Sequence, residues 1–81
     1  MKLLRTTHFE RNYARAPQQI QRAFDKQSAL LLQNLRHPSL RAKKYDERRS
    51  LWQARVNQDW RFYFLNQSDG YLIVDIIPHP K

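Results

Sequence analysis

The hydrophobic period changes once along this 81-residue chain, and that change limits the architectures open to it. In the first half, apolar side chains recur every three or four residues. Phe9 and Tyr13 lie on one face of a short helix, and Ile20, Ala23, Phe24, Leu30, Leu31 and Leu35 continue the helical spacing, interrupted by the polar Gln27 and Ser28. In the second half the period is two. Trp52, Ala54 and Val56 alternate with Gln53, Arg55 and Asn57, and Trp60, Phe62 and Phe64 alternate with Arg61 and Tyr63. Helices followed by strands predict an α+β domain.

Local signals divide the two halves into elements. Leu3 to Thr7 reads as a first strand, and His8 to Arg15 as a basic amphipathic helix. Pro17 suits the first turn of a second helix, where its missing N–H costs nothing. That helix is expected to run to Arg36, because His37 precedes Pro38 and is pushed out of the helical region. From Pro38 to Arg49 only Leu40, Ala42 and Tyr45 are apolar or aromatic, which predicts a loop. Asn57-Gln58-Asp59 joins two strands, and Ser68-Asp69-Gly70 turns the chain into a last one, Tyr71 to Ile77. This last strand is apolar almost throughout, as expected of a central strand covered on both sides. Its even positions, Leu72, Val74 and Ile76, are the expected core face; Tyr71, Ile73, Asp75 and Ile77 point the other way, with His79 on their parity. The predicted order is β-α-α-β-β-β, a small antiparallel sheet with two N-terminal helices packed as its cover.

Length allows one hydrophobic core, so residues 1–81 are expected to form a single domain. Cysteine is absent, which removes disulfides and thiolate metal sites. Polar residues follow Met1-Lys2-Leu3-Leu4-Arg5 at once, so no signal peptide is read there, and no apolar stretch approaches the ~20 residues of a membrane span. These features predict a soluble, cytoplasmic protein. Fifteen Lys/Arg against seven Asp/Glu leave a net charge of +8. Residues 1–44 hold ten basic and two acidic side chains, and residues 45–81 five of each. Such an excess attracts polyphosphate by releasing its counterions, which favours a nucleic acid or an acidic protein as partner.

His8, His37 and His79 stand far apart with no metal-ligand spacing, and the single glycine, Gly70, belongs to a turn rather than a phosphate loop. No serine sits in a nucleophile elbow. The chemistry that remains is basic and aromatic. Arg55 and Arg61 flank the first hairpin turn on the polar side of their strands, where two guanidinium groups could hold one phosphate. The alternative is that they only solvate an exposed face. Arg41, Lys43 and Lys44 could meet a nucleic-acid backbone, or simply solvate their loop. Trp52, Phe62 and Phe64 belong to the core by their alternation, which makes Tyr63 the better candidate for stacking on a base and leaves Tyr45 ambiguous.

The element order, the passage "HPSLRAKKYD", the hairpin "LWQARVNQDWRFYF" and the end "DIIPHPK" resemble the RelE/ParE superfamily of bacterial toxin–antitoxin toxins over nearly the whole chain. The resemblance implies a small antiparallel sheet with an N-terminal strand at its edge and two helices on one face. It also implies one of two activities. RelE-like toxins enter the ribosomal A site and cut messenger RNA without metal or other cofactor; ParE-like toxins bind DNA gyrase and trap it. Arg61 matches the arginine that RelE- and YoeB-like toxins place near the scissile phosphate, and His79 matches the C-terminal catalytic histidine of YoeB-like toxins. The implied roles are charge stabilisation for Arg61, with Arg55 as a second phosphate contact, and general acid for His79. Glu47 is the implied base, from a glutamate in that region of YoeB-like toxins; its other reading, shared with Asp46, is ion pairing to Arg48 and Arg49. Two departures stand out: Pro80 follows the histidine where YoeB-like toxins have an aromatic residue, and no lysine occurs in Trp52-Gln53-Ala54-Arg55, where RelE is lysine-rich. The implied partners are the ribosome with its messenger RNA, or alternatively gyrase, and an acidic antitoxin that masks the basic site.

Overall fold

The computed structural model describes residues 1–79; Pro80 and Lys81, and with them the comparison at Pro80, lie outside the described residues. The elements run β1 (Lys2–Arg5), α1 (Thr7–Arg15), α2 (Gln18–Gln33), a single 3-10 turn (Pro38–Leu40), β2 (Lys43–Asp46), β3 (Leu51–Arg55), β4 (Trp60–Gln67) and β5 (Gly70–Pro78). The five strands form one sheet in the order β1-β5-β4-β3-β2. From β2 to β5 neighbouring strands are antiparallel, whereas β1 joins β5 in parallel. The sheet is therefore mixed, not purely antiparallel, with β1 at its edge as the resemblance implied. Among the described residues no helix is long and apolar enough to cross a membrane.

The helices arise where the spacing placed them. Thr6 caps α1 by accepting the Phe9 N–H at 3.0 Å, which satisfies one of the unpaired donors of the first turn. Pro17 stands at the N-cap of α2, one residue ahead of its expected place. The second helix stops at Gln33, three residues short of Arg36, and His37 instead caps the 3-10 turn, its Nδ1 accepting the Ser39 N–H at 3.2 Å. Gln27 and Ser28, which break the apolar stripe, are both buried. Gln27 Nε2 donates to the carbonyl of Ser39 at 3.0 Å and to that of Arg55 at 2.8 Å, and so ties α2 to the 3-10 turn and to the end of β3. A buried amide with both bonds made is a tether rather than a flaw.

The core lies between the helices and one face of the sheet. Phe9 meets Phe24 at 4.9 Å between ring centroids, Phe24 meets Phe62 at 5.1 Å edge-on, and Phe64 meets Tyr71 at 5.4 Å edge-on. Phe9, Phe24, Phe62, Phe64, Leu31, Leu40, Ile73 and Ile76 are fully enclosed. The lone glycine is set by close approach: a Cβ on Gly70 would stand 2.1 Å from the Lys2 carbonyl oxygen, where β1 pairs with β5.

Two expectations about the strands are corrected. The stretch Pro38–Arg49 is not all loop; Lys43–Asp46 forms the edge strand β2. Its lysines hide the signal, because edge strands carry charge where interior strands carry apolar residues. The core face of β5 also differs from the even set Leu72, Val74 and Ile76. Tyr71, Ile73 and Ile76 are buried, while Leu72 and Val74 are half-buried. The reason is a bulge: Tyr63 pairs with Asp75 but Phe64 pairs with Ile73, so Val74 is an extra residue and the alternation inverts across it.

Candidate functional site

The face of the sheet away from the helices carries the charge. Arg55 and Arg61 are direct cross-strand partners at the turn end of β3 and β4. Like charges directly opposite one another in a sheet destabilise it, so this pair needs a reason outside the fold. Arg55 Nε donates to the Asn57 carbonyl at 3.3 Å, and Arg61 Nη1 donates to the carbonyls of Asn57 at 2.8 Å, Trp60 at 2.9 Å and Gln58 at 3.3 Å. Asn57 in turn shapes the turn, its side-chain oxygen accepting the N–H groups of Asp59 and Trp60 at 2.8 and 2.9 Å. These bonds of Arg61 all come from Nη1, so the turn holds its guanidinium by one corner.

A cleft of ≈ 220 Å³ opens beside the pair, lined by Arg41, Lys43, Gln53, Ala54, Arg55 and Arg61. Its lining holds four cations and no carboxylate. Burial lowers the Arg61 pKa from its usual value and the charge of Arg55 lowers it further; Tyr63 acts upward, and Arg41 (downward) and Asp59 (upward) contribute less. A guanidinium remains charged at neutral pH despite such shifts, so the cleft is a concentrated positive site. Arg41 reaches it from a strained backbone, with φ 45° and ψ 42° in the left-handed region, at the end of the 3-10 turn. A non-glycine residue there costs about 1–2 kcal/mol. A wider hollow of ≈ 490 Å³ lies across Arg55, between α2 and the turn, but only Lys26 and Arg55 charge it.

The cleft gathers some of the sequence candidates and separates others. Arg41, Lys43, Arg55 and Arg61 line it together. Lys44 pairs with Trp52, a core residue, and so faces the other side of the sheet from Lys43, which pairs with Gln53. Glu47 lies in the exposed turn between β2 and β3, at the far end of β3 from Arg55. Four strand residues at ~3.3 Å each separate the two ends, so Glu47 stands about 13 Å along the strand from the arginine pair. Glu47 is not among the residues that line the cleft. Asp46 is engaged by Arg49 at 3.6 Å, as the ion-pair reading expected.

His79 follows the end of β5, with an exposed side chain. Its N–H donates to the Asp59 carbonyl at 2.7 Å, which fastens it to the same turn that holds Arg61. Arg61 pairs with Ile77, and the bulge at Val74 is what sets Ile77 on the open face while Ile73 faces the helices. The strand ends at Pro78, and His79 is not among the residues that line the cleft.

One contributor escapes the sequence reading, and a second, Tyr45, is ambiguous in it. Gln53, nearly buried on the polar side, lines the cleft and donates from Nε2 to the Tyr63 hydroxyl at 2.8 Å. Tyr45 sits at an irregularity in β2, between the paired Lys44 and Asp46, and packs edge-on to Tyr63 at 5.2 Å. No alternation could have marked a residue that a bulge re-aims.

No family model matches the chain, and no curated protein matches its sequence significantly. Solved structures do match. The YoeB/ParE toxin from Agrobacterium tumefaciens superposes with a TM-score of 0.79 at 14% identity, covering 99% of this chain and 100% of that one. YafQ from E. coli strain BL21(DE3) gives 0.79 at 13% identity, covering 96% and 92%. A chain of the archaeal RelE–RelB complex from Pyrococcus horikoshii OT3 gives 0.78 at 15% identity, covering 95% and 92%. The order of strands, the parallel edge strand and the helix pair are thus shared almost end to end, and the chain has the fold of the RelE/ParE toxins.

Proposed function

We propose that this chain is the toxin of a toxin–antitoxin pair and cuts messenger RNA on the ribosome. The observation that carries this reading is the opposed Arg55–Arg61 pair in a cleft with Arg41 and Lys43 and no carboxylate in its lining. A phosphodiester supplies the negative charge that such a cleft lacks, and it gains most when charge builds up on phosphorus.

The chemistry follows from those residues. The ribose 2′-oxygen loses its proton, forms a bond to phosphorus, and the bond from phosphorus to the 5′-oxygen breaks, leaving a 2′,3′-cyclic phosphate. Arg61, with Arg55 beside it, stabilises the phosphoryl oxygens during this exchange. His79 gives its proton to the departing 5′-oxygen; an imidazole, with an unperturbed pKa of ~6.5, can do so near neutrality. With Glu47 at the opposite end of β3, the proton of the 2′-hydroxyl goes to water or to a group the ribosome brings. The similarity to a RelE bound to RelB, together with the charge of +8, supports an acidic antitoxin that covers the cleft. Gyrase trapping needs no acid–base group, so Arg61 together with His79 supports the RNA-cutting reading over it.

The test is a coupled translation reaction in which messenger-RNA ends are mapped, run beside a gyrase supercoiling assay. RNA cuts are expected without loss of supercoiling, and Arg61→Gln should reduce cutting about 10²–10³-fold, the cost of removing one preorganised charge donor. Cutting that persists in His79→Ala would remove the histidine from the mechanism. Lost supercoiling with intact messages would select the gyrase reading instead.

A further inference from the structure

Tyr45 is an aromatic residue in a place where burial does not explain it. It is 61% exposed, on the edge strand β2, next to a cationic cleft. Three features act together on its ring. The β2–β3 register shifts between Lys44 and Asp46, so Tyr45 is the residue left out of the ladder, and a bulge of this kind re-aims its side chain. The ring then packs against Tyr63 with centroids 5.2 Å apart and planes 73° apart. At that angle one face of Tyr45 stays open whichever of the two rings presents its edge. Finally, Tyr63 is held from behind by Gln53, whose Nε2 donates to its hydroxyl at 2.8 Å, and Gln53 is itself a wall of the cleft.

The cleft and the open ring are also at a useful spacing. Lys43 lines the cleft, and Tyr45 follows two residues later on the same strand. Two strand residues advance about 6.6–6.8 Å from the Lys43 edge of the cleft, and Tyr45, level with Leu51 and Trp52, stands about 10–13 Å along the strands from Arg55, a span of one to two nucleotides. A tyrosine kept for stability would be turned inward, and one kept for solubility would not need a second tyrosine and a buried glutamine to hold it still.

We propose that Tyr45 is a positioning residue: it stacks on the base of a nucleotide one or two positions from the phosphate held by Arg55 and Arg61, with Tyr63 and Gln53 as its brace. The inference rests on the RNA-cleaving reading above and adds to it the group that holds the base. Stacking is tolerant of base identity, since each base offers a π-face, so the contact sets position more than sequence.

Programmed ribosomes carrying a short message test this, with the nucleotides flanking the cut replaced one at a time by an abasic ribose. On the intact message Tyr45→Ala should cut about 5- to 150-fold more slowly, the range that one base–aromatic stack covers, and Tyr45→Phe should cut like the wild type. One abasic position should slow the wild type by the same factor and slow Tyr45→Ala no further, because base and ring belong to one contact. Equal cutting by wild type and Tyr45→Ala, or independent losses from the abasic site and the substitution, would overturn the stacking role while leaving the nuclease reading intact. Absence of cutting by the wild type on any message would overturn both.

Discussion

Arg5 and Arg61 each lie near an end of a strand, in surroundings of opposite kind. The guanidinium of Arg5 stands 5.6, 5.5 and 5.7 Å from the ring centroids of Phe9, Tyr13 and Phe24, with Glu10 at 3.9 Å. Every neighbour attracts it. Arg61 faces Arg55 across the ladder, with Arg41 near enough to lower its pKa, and its bonds go only to backbone carbonyls of the adjoining turn. The helix face of the sheet thus uses a cation to seal an aromatic core, while the open face holds cations against their mutual repulsion. A fold gains from the first arrangement and loses by the second, so the second is where function should be sought.

The comparison breaks first if the aromatic core does not carry the stability. Phe24 is fully buried and touches Phe9, Tyr13 and Phe62. Phe24→Ala should cost about 3–5 kcal/mol, as large-to-small changes in packed cores do. Against a total of about 5–15 kcal/mol for a native domain, that is a large share of the stability, and only at the low end does it bring folded and unfolded protein near balance. Urea denaturation measures it, and a loss below about 1 kcal/mol would show that the rings touch without supporting the fold.

The two arginine environments predict opposite patterns of loss. Arg5→Ala should lower stability by roughly 1 kcal/mol through its cation–π contacts and leave RNA cutting unchanged. Arg55→Gln gives up one long bond to Asn57 and relieves a like-charge pair, so its melting temperature should hold or rise while cutting falls on the order of 10²-fold. Thermal melts beside the translation assay separate the two. If Arg55→Gln unfolds the protein, the cationic pair is structural and the division between faces fails.

Much of this division was legible in the sequence because both periods are clean where the core is deep. Phe9, Phe24, Phe62 and Phe64 sit where the spacing put them, and the arginines took the polar side of their strands. What escaped has a common physical cause. Lys43–Asp46 is an edge strand, half of whose hydrogen-bonding groups face outward, so it needs no apolar alternation. The inward face of β5 and the aim of Tyr45 each depend on a bulge, which the cross-strand partner dictates and the local residues do not announce. Gln27 and Gln53 read as polar interruptions, yet each is buried because a carbonyl or hydroxyl on another element completes its bonds. Glu47 was placed by likeness of region alone, and the length of β3 runs between its turn and the arginine pair.

The finest test uses two adjacent lysines that the sequence could not distinguish. Lys43 pairs with Gln53 and lines the cleft, whereas Lys44 pairs with Trp52 and faces the helix side. Both substitutions to glutamine remove one charge from a net +8, so the long-range field changes equally. Binding to single-stranded RNA, measured over a series of salt concentrations, separates the local effect. Each phosphate contact contributes about 0.7 to the slope of log affinity against log salt for a single strand. Lys43→Gln should lower the slope by about that amount, and Lys44→Gln should leave it close to the wild-type value. Equal slopes for the two variants would mean that overall charge, and not the cleft, draws the RNA. The opposed arginines would then be a site for some other anion.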